Sequence, residues 1–151
     1  MTTLRIIEDV AEADWPARPS GLSTAAAAIQ PEVIWRRIES WIAWRWGLRP
    51  CTFIVEGGCG SWRPPLYPLG ATTIEAWTGE AWEATTLPAD PLGGVTLGPA
   101  THYRFSGPLG LDDNPPADVL EAYRRLAEFF STREYHPGAS SFTDEIGSLR
   151  Q

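Results

Sequence analysis

Apolar residues in this chain recur with a helical period towards both ends of the sequence and with a strand period between them. From Pro31 to Trp46, Ile34, Ile38, Trp41 and Ile42 fall at i, i+4, i+7 and i+8, and Trp35 and Trp46 widen the stripe. That is the spacing of an amphipathic helix. Pro31 suits its first turn, where a missing N–H is harmless, and Gly47 with Pro50 is a stop signal. A second helix is predicted over residues 115–134, opened by Asn114 as cap and two prolines. Val119, Ala122, Tyr123, Leu126 and Phe130 build its apolar face, with Phe129 at the edge. Glu121–Arg125 and Arg124–Glu128 form i, i+4 pairs on the other side.

Between these helices the segments "CTFIVEG", "TTIEAWTG", "AWEATTL", "GVTLG" and "HYRFSG" are short, β-branched or aromatic, and bounded by Gly and Pro. They predict strands. "WTGEAW" predicts a tight hairpin at Thr78-Gly79 that brings Trp77 and Trp82 into cross-strand contact. "WRPPLYPLG" is an extended, proline-stiffened connection. Near the N-terminus "LRIIEDVAEADW" fits either a short helix or a strand, "PARPSG" is a loop, and Ser23 or Thr24 can cap a short helix through "AAAAI". After Pro137-Gly138 the polar tail carries spaced apolar residues, Phe142, Ile146 and Leu149. It either docks through them or stays disordered. The expected fold is α+β: a small helical bundle built on residues 31–46 and 115–134, with an inserted β-hairpin or small antiparallel sheet and an extended C-terminal tail. One domain spans residues 1–151, with residues 1–24 poorly defined and 137–151 as a docking tail.

The helix over 31–46 has a second notable side. Arg36, Arg37, Ser40, Ala43 and Trp44 oppose the stripe, which sets Trp44 near Arg37 and beside Arg45. A tryptophan among arginines is the composition of an interface centre, so Arg37, Trp44 and Arg45 are the candidate subunit contact. The competing reading is that the middle of the chain folds over Trp44.

Composition sharpens this picture. All 12 basic residues are arginine and 19 acids outweigh them, for a net charge of −7. Nucleic-acid binding rests on phosphate neutralisation and is disfavoured. Arginine makes planar ion pairs and stacks on rings, which suits contact surfaces, although GC-rich codon usage also removes lysine. A chain of 151 residues can bury about 70% of its unfolded surface. It has no run of eighteen apolar residues, so no membrane span is expected, and "MTTLRIIEDVAEAD" lacks the pattern of a secretory signal. Cytoplasmic synthesis is expected. If Gly57-Gly58 makes a two-residue hairpin, Glu56 faces Cys59, and Cys51 lies several residues from that partner. Free thiols follow. His102 and His136 complete no metal-ligand spacing with them.

Catalytic signatures are missing. No G-x-S-x-G, Walker A, H-E-x-x-H or dinucleotide fingerprint occurs, and "EGGCGSW" lacks the helix and lysine of a phosphate loop. Asp112-Asp113 sits at a helix start, where capping explains it. No catalytic residue, cofactor or metal is expected. The alternative to a contact protein is a carbohydrate-binding or other small-ligand-binding β-rich module, whose tryptophans would stack on sugar rings. Against it, the tryptophans concentrate on the helix.

Taken in order, "IWRRIESWIAWRWGLR", "VEGG" leading to "LYPLGATTIEAW", "ADPLGGVTLGPATHYRFSGPLG", "PPADVLEAYRRLAEFFSTRE" and "GASSFTDEIGSL" resemble the head–tail connector (adaptor, or head-completion) family of tailed bacteriophages and gene-transfer particles. The resemblance covers residues 25 to 150 and rests on order and spacing rather than on any one motif. It departs from the family in the first twenty-odd residues and in the tryptophan content. It implies a structural virion protein made in the bacterial cytoplasm and placed at the virion neck. There a homo-oligomeric ring, typically a dodecamer, docks under the portal protein and presents a platform to the stopper or tail-completion protein. DNA would pass through its channel without specific binding, and an acidic wall would help it slide. Phe142, Ile146 and Leu149 would then dock on the portal.

Overall fold

The computed structural model describes residues 2–111 and 113–133. They form two compact units, each assembled from two stretches of chain: residues 2–15 with 39–111 and 113, and residues 16–38 with 114–133.

The first unit is built on sheet. Its strands are β1 (Thr3–Glu8), β2 (Arg49–Glu56), β3 (Gly60–Trp62), β4 (Thr73–Trp77), β5 (Trp82–Ala84), β6 (Val95–Leu97) and β7 (His102–Leu109), with a 3-10 turn at Val10–Glu12. Five strands form one antiparallel sheet in the order β1-β2-β7-β4-β5, and β3 pairs separately with β6. Side chains alternate across a strand, and β2 obeys this: Cys51, Phe53 and Val55 are buried while Thr52 and Ile54 are half-buried. The register sets Phe53 opposite Phe105 and Val55 opposite Tyr103, so the two central strands offer one continuous apolar face. Trp62 closes that face. Its ring stacks on Phe105 with centroids 4.3 Å apart, meets Phe53 edge-on at 5.6 Å, and donates Nε1–H to Thr3 Oγ1 at 2.9 Å.

The second unit holds α1 (Thr24–Ala27), α3 (Ala117–Arg133) and α2 (Pro31–Glu39) apart from its last residue. Ser23 caps α1 by accepting the Ala26 N–H at 3.1 Å, satisfying one of the donors that every helix start leaves open. The N–H and hydroxyl of Ser23 in turn donate to the Glu128 carboxylate at 2.7 and 2.8 Å. Trp35 and Tyr123 pack with ring centroids 5.0 Å apart, and Trp35 donates to the Pro16 carbonyl at 3.0 Å. Ala26, Ile34, Trp35, Tyr123 and Ala127 are buried.

Several sequence expectations are overturned. The structure is mostly sheet, not a small helical bundle with an inserted hairpin. The helix expected over 31–46 ends at Glu39, so Gly47 and Pro50 do not terminate it. Of its supposed buried stripe, Ile34 is buried and Trp35 beside it, whereas Trp41 is 76% exposed. The Gly57-Gly58 hairpin is not made: Glu56 pairs with His102, and β3 turns away to pair with β6. A Cβ on Gly57 would lie 1.8 Å from the Ala100 carbonyl oxygen, so this crossing admits no side chain. On α3 the Glu121–Arg125 pair forms at 3.0 Å, but Arg124 donates to Glu121 and the Ser20 carbonyl while Glu128 serves Ser23. The strands expected within "CTFIVEG", "TTIEAWTG", "AWEATTL", "GVTLG" and "HYRFSG" are present, and "LRIIE" resolves as strand β1. Phe142, Ile146 and Leu149 lie outside the described residues.

Candidate functional site

The distinctive site of the first unit begins with a buried carboxylate. Glu39 is 4% exposed, and a lone carboxylate there would cost several kcal/mol. Its Oε2 accepts the backbone N–H of Trp46 at 2.6 Å and of Gly47 at 3.2 Å. Arg49, also buried, holds both oxygens of Glu39 with Nη2, the contact to Oε2 measuring 2.6 Å. Through Nη1 it reaches Glu8 on β1 at 3.1 Å, and its Nε–H donates to the Gly47 carbonyl at 2.8 Å. Arg45 completes the cluster, with Nε 3.1 Å from Glu8 and Nη1 donating to the carbonyls of Glu39 and Ile42 at 2.9 and 2.8 Å. Two carboxylates and two guanidiniums thus neutralise one another around a set of backbone groups. The Trp15 ring covers the outer side of Arg49, 4.9 Å from its guanidinium carbon, a cation–π contact.

This cluster explains where the helix stops. Continuing α2 to Trp46 would point the N–H groups of Trp46 and Gly47 up the helix axis. Instead they turn to Glu39, and residues 40–46 become a tight loop pinned at both ends. A second segment locks to that loop: Tyr67 N–H donates to the Ala43 carbonyl at 2.9 Å and Arg45 N–H to the Tyr67 carbonyl at 2.6 Å. Trp44 packs beside the buried Trp46 with ring centroids 6.0 Å apart. The outer surface of this construction carries Trp41, Ile42, Trp44 at 38% exposure and Tyr67 at 41%. Large apolar groups at a surface, carried on backbone tied down in this way, suit a protein contact, because little backbone entropy remains to be lost on binding.

Of the residues singled out from sequence, Trp44 is exposed as expected, though on a loop and not on a helix. Arg45 is half-buried and bonds within the internal cluster, to Glu8 and to the carbonyls of Glu39 and Ile42. Arg37 is exposed on α2 and belongs to the second unit, while Trp44 and Arg45 belong to the first. Sequence reasoning missed Glu39, Arg49 and Glu8 as a cluster, and it assigned Trp41 and Ile42 to a buried stripe. Tyr67 carried no periodic signal; its place next to Pro68 in a proline-rich run was the available hint.

The remaining chemistry is sparse. Cys51 and Cys59 are free thiols, as expected; Cys51 is buried and Cys59 exposed. Burial, helped by the nearby Glu8 charge and opposed by Arg49 and Arg45, pushes the Cys51 thiol up to about 12. The Ser61 hydroxyl and the Leu92 N–H hold the Asp90 carboxyl below its usual value. Trp77 and Trp82 pack across the β4–β5 hairpin at 5.3 Å, as expected, but the Arg104 guanidinium lies 4.7 Å over the Trp82 ring. That ring face is therefore occupied and not offered to a sugar. An open depression of about 500 Å3 over the paired strands β2 and β7 is lined by residues that include Leu48, Pro50, Cys51, Thr52, Ser106 and Pro108, with no charged group. Among the described residues, no group of three His, Cys, Asp or Glu side chains could hold a metal, and no helix is long and apolar enough to cross a membrane. Neither a family model, a curated protein nor a solved structure matches this chain.

Proposed function

We propose that this chain is a structural adaptor of a tailed-phage or gene-transfer particle, a ring subunit joining the portal to the stopper or tail. The observation that carries the reading is the set of exposed apolar side chains Trp41, Ile42, Trp44 and Tyr67, on backbone tied to the buried Glu39 and across to Tyr67. A surface of that composition suits a subunit or portal contact, where tryptophan and tyrosine supply most of the binding energy. The order of sequence motifs supports the same reading and supplies its partners: a dodecameric homo-oligomer, the portal above it and the tail-completion protein below, at the virion neck. On this reading the protein is not an enzyme, and DNA passes through the ring without being read. The acidic balance of the chain, −7 overall, is compatible with a channel wall that does not hold phosphate.

Reconstitution with the cognate portal tests it. The wild-type chain should sediment with portal rings and appear in electron micrographs as a collar beneath them. Trp44→Ala combined with Tyr67→Ala should weaken that binding by about 30-fold or more, since hot-spot truncations cost at least ~2 kcal/mol. Because the two side chains are only 38% and 41% exposed, their truncation also costs some stability, so binding is compared at a temperature where the variant's melting curve shows it fully folded. Should the wild-type chain neither bind portal nor appear in the particle neck, the adaptor reading is wrong. A shift on glycan arrays in its place would favour a sugar-binding module.

A further inference from the structure

The two edges of the five-stranded sheet are not protected alike. At one edge β5 is only three residues long and carries Glu83, with Glu80 in the turn before it. Short edges and charged side chains are the usual defences against pairing with another chain. The other edge, β1, spans six residues, contains no proline, and its single irregularity lies between Thr3 and Arg5. Its apolar side chains are exposed: Leu4 at 52%, Ile6 at 41% and Ile7 at 43%. Ile6 stands opposite Phe53 and Ile7 opposite Thr52, so the two isoleucines flank the edge on opposite faces of the sheet.

The direction of the free backbone groups follows from the ladder. Asp9 N–H donates to the Pro50 carbonyl at 3.0 Å, so by alternation Ile7 also faces β2. Ile6 and Glu8 therefore direct their N–H and C=O groups away from β2, towards the open side.

Topology then selects the partner. Five antiparallel strands are an odd number, so β1 and β5 run the same way. Continuing the sheet head-to-tail would create a parallel pair on the three residues of β5. Two copies of β1 related by a two-fold axis form an antiparallel pair that overlaps over Leu4–Glu8 when centred on Ile6, still the better ladder on the longer edge. Register is limited as well. With the axis normal to the sheet, only like-facing residues can meet. Centring on Arg5 would oppose two like charges, whereas centring on Ile6 sets Ile6 against Ile6 and Arg5 against Ile7. We propose that β1 pairs with β1 of a second copy about a two-fold axis at Ile6, joining two five-stranded sheets into one. In a ring seated on a portal all subunits point the same way, so this pairing belongs to the free chain. It stands independently of the adaptor reading, and its test needs no portal.

Light scattering behind gel filtration should give, across a concentration series, a mass rising from 16.6 kDa to twice that value and no further. Ile6→Pro removes the outward N–H while leaving the β1–β2 ladder its bonds, and should weaken self-association by about tenfold or more. Because that variant could disturb β1 itself, a cross-link provides the second test. Residues at a hydrogen-bonded antiparallel pair have Cα atoms about 5.5 Å apart, within disulfide range. In a Cys59→Ser background, Ile6→Cys should form a covalent dimer on mild oxidation far faster than Leu92→Cys, whose site is 78% exposed. A mass fixed at 16.6 kDa, an open series of higher oligomers, or equal cross-linking at both positions would each overturn the proposal.

Discussion

Replacing Glu39 by alanine is the sharpest probe of the charge cluster. The substitution strands the Arg49 guanidinium, whose side chain is 2% exposed, and leaves the N–H groups of Trp46 and Gly47 without their acceptor. Removing one partner of a buried ion pair costs about 3–5 kcal/mol, because the survivor stays charged and dry. Glu8 still faces Arg49 at 3.1 Å, which pulls the expectation towards the lower end. The two abandoned amides, at ~1 kcal/mol or more each, push it back up. The loss should therefore be about 3–4 kcal/mol, read as a lower urea midpoint at unchanged slope. In a chain of this size that corresponds to a fall of roughly 6–16 °C in melting temperature. An internal comparison fixes the cause. Glu39→Met with Arg49→Met removes both charges and should be less damaging than Glu39→Ala alone, whereas simple loss of contacts would make the double change worse. A Glu39→Ala loss below ~1 kcal/mol, the range of an exposed pair, would refute the reasoning. So would a double variant weaker than the single one.

Other consequences can be checked with simpler assays. Trp62→Ala empties the space between Phe53 and Phe105 and should cost about 3–5 kcal/mol in urea unfolding; a loss below 1 would deny Trp62 its place as the core's lid. Ser23 holds the Glu128 carboxyl below its ordinary 4.5, so its contribution is full above that pH and is lost as pH falls through the lowered value. Melting curves of wild type and Glu128→Gln should accordingly differ near neutrality and converge in acid, and a gap that widens in acid would contradict this. Thiol titration at pH 8 should show Cys59 reacting promptly and Cys51, pushed up to about 12 by burial, reacting only on unfolding. Two equally fast thiols would mean that Cys51 is not sealed in the core.

Local pattern carried much of this protein. The alternation in "CTFIVE" and "HYRF", the Trp77–Trp82 hairpin, the Ser23 cap and the seventeen residues of α3 are each decided by neighbours within a few positions. Their period, turn chemistry or cap could be read directly. The end of α2, the strand identity of β1 and the fate of the tryptophans after Ile38 were decided elsewhere. Helical spacing favoured continuing to Trp46 by fractions of a kcal/mol per residue, but Glu39 had to meet Arg49 ten positions on, and Arg49 had to meet Glu8, 41 positions back. An unmatched buried charge costs several kcal/mol and so outweighs propensity. The same imbalance turned Trp41 and Trp44 outward. "LRIIE" became a strand because β2, more than forty residues away, offered it a ladder. Period and turn chemistry are written in adjacent residues, whereas charge matching and strand pairing depend on partners that only the folded chain brings near.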